Sequence, residues 1–238
     1  GLTGYGFRDG DGSLARFQLP TGIARDSVGN LYVADTFNHA IRKLTGAPGG
    51  SWTVTTLAGD GSAGYVDGEG RSSRFNLPQG LTVDPSGNVF VADTGNHRIR
   101  KITPDGRVST LAGTGTAGAT DGNAAVATFD SPLSIVLDTQ GNLYVADGEN
   151  HKIRRIDSST NVSTVAGDGV QGPPTSNRLN CPTGLLMVND DTIYFTDKLN
   201  HAVRKLTRTG GTWTLSTVTG TGQPGFTNGL EPQATFHH

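Results

Sequence analysis

Apolar and polar positions alternate at strand period in short runs along this chain, and clusters of Gly, Asn, Asp or Pro stop each run. The stretch from Pro78 to Gly113 shows the pattern whole. PQGLTVD (Pro78–Asp84) reads as a short apolar strand, and the PSGN that follows is a turn whose Gly and Asn supply positive φ. NVFVAD (Asn88–Asp93) alternates as a second strand and TGNH turns the chain again. HRIRKI (His97–Ile102) is the third strand, with Ile99 and Lys101 on one face and Arg98, Arg100 and Ile102 on the other. TPDG (Thr103–Gly106) is a strong turn, and RVSTLAG (Arg107–Gly113) is the fourth strand. Four antiparallel strands joined by three short turns predict one propeller blade.

The same order recurs. ADTFNHAIRKL (Ala34–Leu44), ADTGNHRIRKI (Ala92–Ile102), ADGENHKIRRI (Ala146–Ile156) and TDKLNHAVRKL (Thr196–Leu206) are four copies of one phrase, whose aspartates Asp35, Asp93, Asp147 and Asp197 lie 58, 54 and 50 residues apart. Such a period means stacked copies of one supersecondary unit. The first turn carries GN at Gly29–Asn30 and Gly141–Asn142, while the fourth copy departs with NDDT (Asn189–Thr192). Trp52 and Trp213 follow longer third hairpins at equivalent places and read as packing residues. The blades are expected over about 18–59, 76–113, 130–167 and 180–220, with 221–236 re-entering a linker and 237–238 (His237, His238) reading as a purification tag.

The phrase D-x-x-N-H-x-I/V-R after an apolar G-N-φ-φ-V-A-D strand resembles the NHL repeat, and the resemblance covers essentially the whole chain. It implies an all-β fold, a β-propeller built from four-stranded antiparallel NHL-type blades. Propellers of that family commonly have six blades. Four copies therefore imply an excised piece of a larger ring, or a unit that closes alone or by self-association, because open blade edges invite pairing. The family's blade serves scaffolds, RNA binders, lyases and lactonase-like hydrolases, so the likeness speaks to fold far more than to activity.

Composition narrows the classes. A net charge of −2, with ten of the 19 basic residues spread by the repeated phrase, argues against nucleic acid as a partner. The single cysteine, Cys181, permits neither an intrachain disulfide nor a Cys-based zinc cluster, and its place in NCPTG reads as a small apolar site. No apolar run reaches membrane-spanning length, no signal peptide is evident, and membrane insertion is not expected. The Gly-, Thr-, Ser- and Asp-rich, Lys-poor composition leans towards a secreted or cell-surface protein.

Most chemistry-like patterns are absorbed by the repeat. GxGxxG occurs four times, starting at Gly59, Gly113, Gly167 and Gly220, but a dinucleotide site needs a helix after it and no helical pattern follows. The Asp–Asn–His turn reads as a structural device in which Arg42, Arg98 or Arg154 pairs with the motif Asp, and His39, His97, His151 and His201 all belong to this set. A lactonase-like channel metal, as the resemblance implies, calls for a distinct acid or amide on a first strand. The acids there, Asp26, Asp84 and Asp138, with Asn189 in the fourth place, read as hairpin residues. DGDG (Asp9–Gly12) and DGEG (Asp67–Gly70) are too sparse for a calcium loop and read as solvated turns.

The linkers between copies are long, differ from one another, and emerge beside the turn between second and third strands. Their candidate binding residues are Tyr5, Phe7, Arg8, Tyr65, Asp67, Asp121, Gln171 and Phe226, whereas Phe17, Phe75, Phe129 and Phe236 read as inward anchors. Aromatics beside Asp and Gly suit sugar or peptide recognition. The expected function is a binding or scaffold propeller for a protein, peptide or glycan, with no cofactor, metal or catalytic residue. The alternative is a metal-dependent hydrolase or lyase, lactonase-like or amidating-lyase-like, with its site in the central channel.

Overall fold

The computed structural model describes residues 5–47, 49–229 and 234–236. The residues read as a tag, His237 and His238, lie outside the described residues. The chain forms two compact units, Gly1–Gly115 and Thr116–His238, each with two blades.

The first unit holds blade 1 (Ile23–Arg25, Leu31–Asp35, Ala40–Gly46, Trp52–Ala58) and blade 2 (Pro78–Val83, Val89–Asp93, Arg98–Ile102, Arg107–Ala112). The second holds blade 3 (Pro132–Leu137, Leu143–Asp147, Lys152–Ile156, Asn161–Ala166) and blade 4 (Pro182–Asn189, Thr192–Asp197, Ala202–Thr209, Thr212–Thr219). Within each blade every strand pairs antiparallel with the next in sequence, so the sheet is a meander. The first hairpins close as the sequence predicts. Asp26 Oδ1 accepts from Val28 N (3.1 Å) and Asn30 N (2.8 Å), and Asp84 and Asp138 accept from Asn88 N and Asn142 N at 2.8 Å. In blade 4 Asn189 Oδ1 does the same for Asp191 N.

Three blades are not four-stranded. Gly10–Asp11, Gly68–Glu69 and Gly122–Asn123, from the linker preceding each blade, pair with that blade's last strand and make a fifth. These two-residue strands carry no apolar alternation, which is why periodicity does not reveal them. DGDG and DGEG are thus partly sheet edge rather than solvated turn. Blade 4 remains four-stranded.

A bulge recurs where the last strand meets the third, with register shifting at Ile41/Arg42, at Thr110/Ala112, at Ile153/Arg154 and at Val203/Arg204. The chain then leaves through a glycine at positive φ: Gly59 at 100°, Gly113 at 103°, Gly167 at 85° and Gly220 at 106°. A Cβ on Gly167 would stand 2.2 Å from His151 O, and one on Gly220 2.4 Å from His201 O. The first glycine of GxGxxG is therefore set by a steric fit against the motif histidine's carbonyl. Gly167→Ala is expected to destabilise the chain by about 2–3 kcal/mol, from αL strain and the clash together. A urea denaturation midpoint reads that loss directly.

The blades of each unit pack face to face. Tyr32, Ala34, Ile41 and Ala58 of blade 1 form one core with Phe75, Leu81, Val91 and Ile102 from blade 2 and its linker. In the second unit Tyr144, Ala146 and Ile153 of blade 3 meet Leu179, Phe195 and Leu206. Trp213 packs edge-on to Tyr144 with ring centroids 5.6 Å apart, which supports its reading as a packing residue.

Candidate functional site

The second strand of each blade ends in the motif Asp, and a one-turn 3-10 segment such as Thr36–Asn38 or Thr94–Asn96 carries the chain to the motif His. That His lies in the left-handed region in all four copies, with φ from 46° to 54°, and so reverses the backbone into the third strand. The third strand then places an Arg seven residues beyond the Asp, on the same face.

The Asp and Arg form a fully buried ion pair in every blade. Arg42 Nη1 lies 2.6 Å from Asp35 Oδ2, Arg100 Nη1 2.7 Å from Asp93, Arg154 Nη1 2.8 Å from Asp147, and Arg204 Nη1 2.9 Å from Asp197. In the second blade the partner is Arg100, not the Arg98 that sequence reading assigned. Both arginines lie on the same face of the third strand, but Arg100 Nη1 reaches Asp93 Oδ2 and is buried there, while Arg98 covers the Tyr65 ring at 3.7 Å.

The motif Asn completes the device. Asn38 Nδ2 donates to Asp35 Oδ2 (2.9 Å) and to Gly6 O (2.8 Å), and Asn96, Asn150 and Asn200 repeat this with Gly64, Gly118 and Gly172. The other Asp oxygen accepts the N–H of the linker's last turn: Gln18, Asn76, Asp130 and Asn180 at 2.7–2.8 Å. One carboxylate thus ties turn, strand and linker together. Burial raises the carboxyls of Asp93, Asp147 and Asp197 above the usual range, Asp147 to about 6, while the donors around them pull the other way.

The histidines join successive blades within a unit. His39 Nδ1 accepts from Leu77 N at 3.1 Å, and His151 Nδ1 from Cys181 N at 3.0 Å. Burial holds His39 below its ordinary value, with Asp60 acting against it. Cys181 is buried in the left-handed region at φ 55°, with its Sγ 3.9 Å from Glu149 Oε1. Its surroundings are more polar than the apolar site expected, and burial pushes its thiol up.

The linker candidates divide into two groups. Asp67 and Asp121 are structural partners: Asp67 Oδ1 takes Arg100 Nη2 at 2.6 Å and Asp121 Oδ1 takes Arg154 Nη2 at 2.6 Å. Asp9, not among the candidates, does the same for Arg42 at 2.7 Å and also receives Arg71 Nη2 at 2.5 Å. Burial raises the Asp9 carboxyl, but bonds from Thr56 and Arg42 outweigh it and hold the group below the ordinary carboxylate value. The signal for these partners is in the sequence, since each Asp lies 33 residues before its Arg.

Phe7 stacks over Arg42 and Arg71, and Tyr65 bonds Thr110 Oγ1 through its hydroxyl while lying under Arg98 and Arg100. Tyr5, Arg8, Gln171 and Phe226 are exposed, Phe226 to 92%. In the first unit Phe7, Asp9, Arg42 and Arg71 converge across two successive linkers. Tyr65 belongs to a separate cluster on blade 2. The anchor readings are supported at Phe75 and Phe129, which are fully buried, while Phe236 is exposed at 39%. Among the described residues no three His, Cys, Asp or Glu side chains converge so as to hold a metal ion, and no helix is long and apolar enough to cross a membrane.

Comparison with known proteins agrees with the fold. The family model for the NHL repeat matches residues 17–44, 75–102 and 129–156. The chain is 33% identical over 245 residues to the Arabidopsis thaliana protein SUPPRESSOR OF QUENCHING 1, chloroplastic, covering 94% of this chain and 23% of that protein. It is 41% identical over 165 residues to NHL repeat-containing protein 2 of Bos taurus, covering 63% of this chain and 22% of that one. The chain thus spans less than a quarter of the length of these relatives. Among solved structures, a gluconolactonase of Xanthomonas campestris superposes with a TM-score of 0.63 at 14% identity, over 85% of this chain and 63% of that chain, a likeness of fold alone. With three matched repeats, a fourth copy of the Asp–Asn–His–Arg clamp and antiparallel blades throughout, the chain carries NHL repeats on an all-β fold of the β-propeller kind.

Proposed function

We propose that this chain is a binding module whose inter-blade linkers recognise a protein, peptide or glycan. The observation that carries the reading is a division of labour. The residues that recur in the repeats are consumed by the clamp, whereas exposed Tyr5, Tyr65 and Phe226 differ from copy to copy and stand on linkers. Exposed aromatics on a rigid scaffold offer large contact area at little conformational cost. The linkers are held at their bases by Asn38, Asn96, Asn150 and Asn200, so their tips are presented on fixed stems.

Probing peptide and glycan arrays with the chain and with a Tyr5→Ala/Tyr65→Ala/Phe226→Ala variant tests this. The expected result is a set of ligands bound by the parent and weakened at least tenfold in the variant, with the melting temperature within about 2 °C. Array silence, together with divalent-metal-dependent turnover in a panel of lactones, esters and peptidyl substrates, would overturn it in favour of the hydrolase or lyase alternative.

A further inference from the structure

The four blades solve one electrostatic problem in two ways. In blades 1 to 3 the buried Arg has two carboxylates, the motif Asp on Nη1 and a linker Asp on Nη2. Each linker Asp directly follows the residue whose carbonyl also accepts from Nη2: Arg8 O then Asp9, Val66 O then Asp67, Thr120 O then Asp121. The last strand supplies the rest of a carboxylate cradle. Thr56 Oγ1 donates to Asp9 at 2.9 Å, Thr110 N to Asp67 at 3.2 Å and Thr164 N to Asp121 at 3.0 Å.

Blade 4 keeps the cradle and lacks the acid. Arg204 is 1% exposed and bonds Asp197 through Nη1. Its Nη2 donates to Ser176 O alone, at 2.9 Å, where the other three give two bonds. The residue after that carbonyl is Asn177, an amide in place of the carboxylate, and 33 residues before Arg204 stands Gln171. Arg204 Nε also has no partner, a property it shares with Arg42 and Arg100, so the difference lies at Nη2. Thr217 faces Arg204 in the register that Thr110 and Thr164 hold against Arg100 and Arg154, which turns its N–H to the same outer edge. Its hydroxyl is taken by Pro174 O at 2.6 Å.

A cleft of about 590 Å³ lies against these groups, walled by Arg204, Thr217, Pro174, Asn177, Leu215 and Thr221, and no acidic residue is among its lining. The linker acid Asp168 is engaged by Arg178 Nε at 2.9 Å. Burial presses Arg204 below its ordinary value while Asp197 alone resists, the mark of a guanidinium short of anionic company.

We infer that the fourth-blade cleft is a carboxylate-binding site, in which a ligand's carboxylate meets Arg204 Nη2 and the Thr217 N–H as Asp67 and Asp121 meet Arg and Thr in blades 2 and 3. Charge-assisted bonds to a buried Arg are the strong kind, and Leu215 and Pro174 give an apolar flank for the body of the acid. The carboxylate belongs either to a free small acid or to an Asp, Glu or C-terminus of a chain. The inference rests on the reading of the linkers as the recognition surface and adds the chemistry of one subsite.

Isothermal titration of the chain with benzoate, with benzamide as the uncharged control, and with a capped pentapeptide carrying one Asp tests it. The expected result is saturable binding of at least one acid and none of benzamide. Asn177→Asp puts a carboxylate directly after the carbonyl that accepts from Arg204 Nη2, the place in the chain where blades 1 to 3 carry theirs. It should raise the melting temperature and weaken acid binding at least tenfold, or about 1.4 kcal/mol. Tighter binding of benzoate identifies a small-acid site, and tighter binding of the peptide a chain carboxylate. No saturable binding of either acid, or equal binding to Asn177→Asp, overturns the assignment. Array ligands that depend on Tyr5, Tyr65 and Phe226 but ignore Asn177→Asp would sink the carboxylate site and leave the broader recognition reading standing.

Discussion

Asp93→Ala is expected to cost about 3–5 kcal/mol, because it takes the acceptor from three buried donors, one of them a guanidinium that cannot discharge. Asp93 is wholly buried and ties linker, turn and third strand together: Asn76 N, Asn96 Nδ2 and Arg100 Nη1 all converge on its two oxygens. Asp67 still pairs with Arg100 Nη2 from outside, so the loss comes from the orphaned inner donors and not from a fully unpaired charge. Removing the other partner should behave differently. In Arg100→Met the carboxylate of Asp93 loses its ion pair, and burial already holds that carboxyl above its ordinary value. A carboxyl whose folded value is raised binds its proton in the native state first, so stability rises as pH falls from its folded value towards the unfolded one near 3.9. Arg100→Met should therefore recover stability on mild acidification relative to the parent, while Asp93→Ala should not. Urea midpoints for the three chains at pH 7 and pH 5 decide the matter. Parallel pH responses of the two variants would mean that packing, rather than charge, sets the cost.

Much of this was readable in the chain because the repeat writes the same physics four times. Alternation marks the strands, Gly–Asn and Asp–Gly mark the hairpins, and a phrase present in every copy had to be scaffold before chemistry. Three things were hidden, each for a physical reason. Arg98 stood in for Arg100 as the partner of Asp93, since both lie on one strand face and nothing local says which of them the bulge and the linker will cover. Asp67 and Asp121 look like recognition residues because their partners are 33 positions away, beyond any window of strand periodicity. The fifth strands are edge pairings of Gly with Asp, Glu or Asn, whose stability comes from backbone bonds and not from apolar side chains. Asking where each recurrent Arg finds its second anion would have found Asp9, Asp67 and Asp121 together, and would have singled out the fourth copy, with Gln171 at that spacing, as the exception.

The second large effect is expected at Phe75. Its ring is fully buried at the junction of blade 2 with blade 1, in one core with Tyr32, Ile41 and Ala58, and lies 5.1 Å from the Arg100 guanidinium. Its backbone closes the linker, pairing with Ala63 and accepting from Gly64 N at 2.9 Å. Phe75→Ala removes a large apolar side chain from a site bounded by sheet on both sides, where collapse is hindered, so the loss should reach about 3–5 kcal/mol. Phe75→Leu should cost much less, about 1–1.5 kcal/mol, because blade 4 already builds the same junction with fully buried Leu179. Hydrogen exchange locates the damage: protection should fall in 59–112 and in the strand Leu31–Asp35 that packs there. Equal losses for the Ala and Leu variants would mean that the ring's stacking on Arg100, and not the filled volume, carries Phe75, and that blade 4 can use Leu179 only because Arg204 is satisfied by other means.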